Sequence, residues 1–104
     1  MTELPRLYVK FRDDHPEIAE AFDTLGSAAH ENGPLDERSR ALVKLSLAVG
    51  AGLEGAVHAH VRKCLDRGLT EEEIVHAIIL AVPTLGWPRM HSAWTWARDI
   101  FEGR

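Results

Sequence analysis

Four side chains able to carry chemistry crowd into the segment Glu54 to Cys64: Glu54, His58, His60 and Cys64. An imidazole titrates near neutrality and can serve as general base or general acid. A thiol beside one can ionise and become a nucleophile. On a helix, positions 53, 56, 57, 60 and 64 share a face by steps of three and four, so His60 is expected to point inward with Leu53, Val57 and Cys64. His58 lies about 200° from His60 around the axis and shares a face with Glu54 and Arg62. The two histidines therefore do not grip one ion, because a His-x-His pair converges on one side only in a strand. No metal is expected, although one assembled with His76 or His91 from other helices stays open.

Each of these residues also has a plain structural reading. His60 is either an acid/base group or a core histidine bonded to a backbone carbonyl. Cys64 is either a nucleophile or a small apolar filler. Glu54 and His58 form an i,i+4 pair that is a solvated contact, unless Gly50, Gly52 and Gly55 leave room there for a small ligand. His76 lies in an apolar segment, and His91 precedes Trp94 by three residues. Either could line a pocket with Trp87 and Trp94. His15 and His30 fall near helix ends and are not singled out. The candidate catalytic residues are His60 and Glu54, and the candidate pocket residues are His58, Cys64, Trp87 and His91.

The elements that must position these groups read as helices separated by short breakers. After an arm over residues 1–13, Asp14 is expected to cap a helix with Pro16 in its first turn and Ile18, Phe22, Leu25 and Ala29 along one stripe. Asn32, Gly33 and Pro34 stop it. Asp36 caps a second helix that ends near Gly50 and Gly52. A third runs from about Leu53 to Arg67 and closes at Gly68. Thr70 and Glu73 form a capping box for a fourth, whose apolar positions from Ile74 to Val82 cover most of its circumference and place it at the core centre. Pro83 interrupts that helix, Gly86 caps it, and Pro88 opens a fifth with the stripe Met90, Ala93, Trp94, Ala97, Ile100 and Phe101. The arm alternates as a strand would but lacks a partner strand, so a short helix or an extended arm docked on a neighbouring chain fits better. Stripes this wide favour a homo-oligomer.

Length and composition narrow the function. The chain has 104 residues, 45% hydrophobic and 27% charged, with a formal net charge of −4, the profile of one ordered domain spanning residues 1–104. No basic run exceeds Arg62-Lys63, so a nucleic-acid partner is not expected. No apolar stretch is long enough for a bilayer span. The N-terminus lacks a secretory pattern, which makes the cytoplasm the expected address. Cys64 is the single cysteine, so an internal disulfide is impossible.

Several stretches together carry a family resemblance: Leu35-Asp36 and the helix Arg40 to Gly50, then His60-Val61-Arg62, Gly68 to Ile74, and Leu85-Gly86-Trp87-Pro88. On these the chain resembles the carboxymuconolactone decarboxylase and alkylhydroperoxidase D family. The likeness implies an all-α fold of about five helices on a central helical hairpin, assembled as dimers, trimers or hexamers with sites near subunit contacts. In the peroxidase branch a Cys-x-x-Cys and a preceding Glu serve the histidine. With His60 on that histidine, those positions are Leu53, Ala56 and Ala41, all apolar, so the peroxidatic mechanism does not carry over. The decarboxylase branch lacks the cysteine pair and keeps His-Val-Arg with an acidic residue six positions ahead, here Glu54. On that likeness His60 and Glu54 act on a small organic acid or lactone without a cofactor, as a lyase, with Arg62, Arg89 or Arg40 holding a carboxylate. Two alternatives stay open. One is an antioxidant peroxidase of peroxiredoxin type using Cys64 and an intermolecular thiol, and the other a non-catalytic oligomeric binding module.

Overall fold

The computed structural model describes residues 4–103. They form seven helices: α1 (Arg6–Asp14), α2 (Pro16–Glu31), α3 (Glu37–Ala51), α4 (Glu54–Asp66), α5 (Glu71–Ile79), α6 (Val82–Leu85) and α7 (Trp87–Phe101). The all-α expectation holds, with no strand among the described residues. Two helices exceed the expected five because the arm winds into α1 and the chain after α5 makes the single extra turn α6. Residues 1–3 of the arm lie outside the described residues. No described helix is long and apolar enough to cross a membrane.

Two compact units divide the chain between Leu35 and Asp36. In the first, α1 and α2 are joined by an ion pair between Arg12 and Asp23. Asp14 does not cap α2, contrary to expectation. It ends α1, bonded to Lys10 at 2.6 Å one turn back, and His15 occupies the N-cap position without a side-chain capping bond. Pro16 sits in the first turn as its spacing predicts. The stripe Ile18, Phe22 and Leu25 remains 61%, 64% and 67% exposed.

In the second unit, local signals set the helix boundaries. The Asp36 carboxylate accepts from the Ser39 amide at 2.7 Å and starts α3, which holds its carboxyl below the usual range. Gly52 ends α3 in the left-handed conformation, φ 69°, where a side chain is disfavoured. Thr70 and Glu73 form the reciprocal capping box of α5, at 3.1 and 2.9 Å.

Helices α3 and α4 make a hairpin, and α7 packs along α4 and α5. At its centre Val57, Val61 and Cys64 of α4 meet Leu45, Ile74, Ile78, Ala93 and Ala97, all fully buried. Each such Val or Ile contributes about 1.5–3 kcal/mol over its exposed state. The centre of the core is thus α4 rather than the α5 region. Ile74 and Ile78 turn inward, whereas Ile79 and Leu80 stay exposed. An apolar circumference tells that a helix has several sticky sides, but not how many are covered within one chain.

Candidate functional site

Helix α4 starts at Glu54 with Leu53 at its N-cap. One turn on, His58 faces the last turn of α7, where its Nε2 lies 3.1 Å from Oδ2 of Asp99. Glu54 joins them. One donor atom from each of Glu54, His58 and Asp99 can be chosen so that all lie within 4.8 Å of one another. An ionised carboxylate only accepts, so Asp99 takes the Nε2–H of His58 and leaves Nδ1 as the basic nitrogen of the neutral ring. The side chains of His58 and Asp99 are 23% and 33% exposed, open to a small molecule yet shielded on one side. A carboxylate that orients an imidazole, with a second carboxylate alongside, is an arrangement that can move protons.

Asp99 was not among the candidates, and no spacing along the chain could nominate it. It borders the buried stripe Ala93, Ala97 and Ile100 of α7, and its pairing with His58 appears only when α7 lies against α4. The pair Glu54 and His58 does share a face, as the four-residue step predicts.

His60 is half-buried, not turned fully inward. The buried line of α4 runs through Val57, Val61 and Cys64, one position round from the expected face, which leaves His60 at its border and Leu53 56% exposed. Cys64 has no access to solvent. Its Sγ donates to the Ala41 carbonyl at 3.5 Å, and burial pushes the thiol up to about 11. It stays protonated at neutral pH and does not suit a nucleophile.

Trp87 and His91 form a surface row on α7 with Trp94, ring centroids 5.9 Å apart at each step. Arg98 lies 5.8 Å from the Trp94 ring. His76 is exposed. A separate cavity of about 220 Å³ lies between α3, α5 and α6, lined by Ser46, Val49, Ala77, Leu80, Ala81, Thr84 and Leu85, none of them a candidate site residue.

The room expected beside the glycines is partly taken. Arg89 donates to the Gly50 carbonyl at 2.8 Å, and its guanidinium fills the space where a Gly52 side chain would stand. Gly55 faces open space. Of the three arginines considered for a carboxylate, Arg89 is thereby engaged. Arg62, half-buried, sits one turn beyond His58 on the Glu54 face.

The family model for the carboxymuconolactone decarboxylase family matches residues 16–99. A 4-carboxymuconolactone decarboxylase from Acinetobacter baylyi is 26% identical over 68 residues, covering 65% of this chain and 51% of the relative. The match spans about half the length of that relative. A crystal structure of an apo carboxymuconolactone decarboxylase family protein from Legionella pneumophila superposes with a TM-score of 0.76 at 28% identity, covering 92% of this chain and 86% of the other.

Proposed function

This chain belongs to the carboxymuconolactone decarboxylase family, and from that premise we propose that it performs cofactor-independent acid/base chemistry, decarboxylation or proton transfer, on a small organic acid or lactone in the cytoplasm. The observation that carries the reading is the 3.1 Å contact of His58 with Asp99, with Glu54 completing the group. When a carboxylate leaves as CO2, the electron pair stays on the carbon it left, is delocalised into a carbonyl of the substrate, and is quenched by a proton. The imidazole held by Asp99, protonated from solvent at Nδ1, delivers that proton, and Glu54 relays the next one from solvent to the ring. Arg62 is the cation best placed by helical spacing to take the substrate carboxylate. His60 is the histidine that the family likeness marks, and Glu54, which groups with His58, would meet His60 only across a bound ligand or a subunit boundary.

The test is CO2 release from 4-carboxymuconolactone, the compound named in the relative from Acinetobacter baylyi, and from related lactone acids. His58→Ala is expected to lower kcat/KM by about 10²–10⁴-fold. His60→Ala run in parallel assigns the proton to one ring. If neither substitution nor Glu54→Gln changes the rate, the acid/base reading fails. If no lactone acid is turned over, the non-catalytic module takes its place. The thiol alternative is opposed by the burial of Cys64.

A homo-oligomer, trimer or hexamer, belongs to the same proposal. Val43, Leu47, Ile79 and Leu80 are large apolar side chains left uncovered in the second unit, a surface that favours self-association. Light scattering that returns the monomer mass of 11.6 kDa would remove it.

A further inference from the structure

We infer that Glu54, His58 and Asp99 form a binding site for a first-row divalent transition ion, such as Zn²⁺ or Co²⁺, which takes Nε2 of His58 in place of the hydrogen bond to Asp99. The geometry comes first. Donors held at about 2.0–2.2 Å from one ion stand roughly 3–3.5 Å apart in octahedral or tetrahedral coordination. The His58–Asp99 separation of 3.1 Å already has that value. The third donor lies within 4.8 Å, and Glu54 is exposed in the first turn of α4, so its side chain closes the remaining distance by changing rotamer while the helices stay in place.

The donor set points the same way. One imidazole nitrogen and two carboxylate oxygens suit a borderline ion better than Mg²⁺, which retains its water and takes oxygen alone. Two carboxylates against one neutral imidazole leave the cluster with surplus negative charge. Asp99 also stands in the last turn of α7, the end of a helix that favours a cation. On binding, the neutral ring moves its hydrogen from Nε2 to Nδ1, and the carboxylates stay ionised. Three protein donors leave at least one position open to water or to an oxygen of a substrate.

This departs from the expectation of a metal-free site and does not depend on the acid/base reading. Titration of the metal-free protein with Co²⁺, followed by visible absorption and by calorimetry with Zn²⁺, is expected to show one ion per chain. His58→Gln, Asp99→Asn and Glu54→Gln each weaken it by at least about tenfold. His76→Ala leaves it unchanged, and excess Mg²⁺ does not displace the ion. Far-UV circular dichroism and the thermal midpoint confirm that each variant folds. Absence of a cobalt band and of binding heat up to millimolar metal overturns the inference, as does a His58→Gln protein that binds like the parent. The two readings fail separately. Loss of turnover in His58→Ala with no metal binding by the parent protein leaves acid/base chemistry standing, whereas metal binding by the parent with metal-free turnover unaltered in His58→Ala, His60→Ala and Glu54→Gln leaves only the metal site.

Discussion

Two sides of α4 carry ionisable groups within a few residues of each other, and their surroundings give them opposite characters. Cys64 is walled in by apolar side chains and held protonated. His58 is reachable from solvent and oriented by Asp99. Reactivity here depends less on residue type than on which neighbour lies across the helix boundary. Burial keeps the thiol silent, while a carboxylate at 3.1 Å orients the imidazole.

The sharpest way to break this contrast is to place a charge on the thiol side. Val61→Asp is expected to cost on the order of 3–5 kcal/mol, because the carboxylate has no partner in the core. Urea denaturation reads this directly, and a loss under about 1 kcal/mol would mean that the side is not packed as described. Next comes the thiol itself. In the native protein Cys64 is expected to react with a thiol reagent at least about 10³-fold more slowly than in denaturant, since reaction waits on opening of the fold.

The same residue shapes the alkaline limb of stability. Its folded pKa is raised, so the stabilisation is complete below the unfolded value of about 8.5 and is lost as pH rises toward about 11. Cys64→Ala should flatten that limb in thermal melts taken from neutral to alkaline pH. The acid limb belongs to other residues. Asp36 is lowered chiefly by the backbone amide of Ser39, and Glu73 by the amide of Thr70 and then by Arg38. Their contributions are present above the unfolded carboxylate range and are lost as pH falls through the lower folded values. Asp36→Asn and Glu73→Gln should make the melting temperature less sensitive to acid.

The smallest expected effect lies on the imidazole side. Asp99→Asn keeps an oxygen that can accept from His58 but removes the charge on a part-buried hydrogen bond, and should change stability by about 1 kcal/mol or less, measured in the same urea series as Val61→Asp. A cost equal to that of the core substitution would erase the distinction between the two sides.

Much of this architecture is written in short-range signals. Thr70 with Glu73, Asp36 with Ser39, and Gly52 act within one turn, so the chain declares these boundaries without its tertiary partners. The family likeness at His60-Val61-Arg62 and Leu85 to Pro88 pointed to the all-helical fold. What escaped depends on packing between elements. The buried line of α4 runs through Val61 rather than His60 because it is set by where α3 and α7 pack against it, which helical periodicity does not contain. Ile79 and Leu80 look like core residues by type, yet no element of the second unit covers them. Asp99 is an ordinary surface acid until α7 brings it to His58.

Gly52 carries one further consequence. Its missing side chain lets a guanidinium from α7 reach the Gly50 carbonyl near the end of α3, so α3 and α7 are keyed together where a side chain on Gly52 would stand. Arg89 and Asp99 lie on the same rod, about 15 Å apart along its axis. Alanine at this turn would force both the left-handed backbone and the plug to give way, and the tilt imposed on α7 would reach the imidazole as a change of aim. A defect with no chemistry of its own would be felt first as a changed distance between His58 and Asp99.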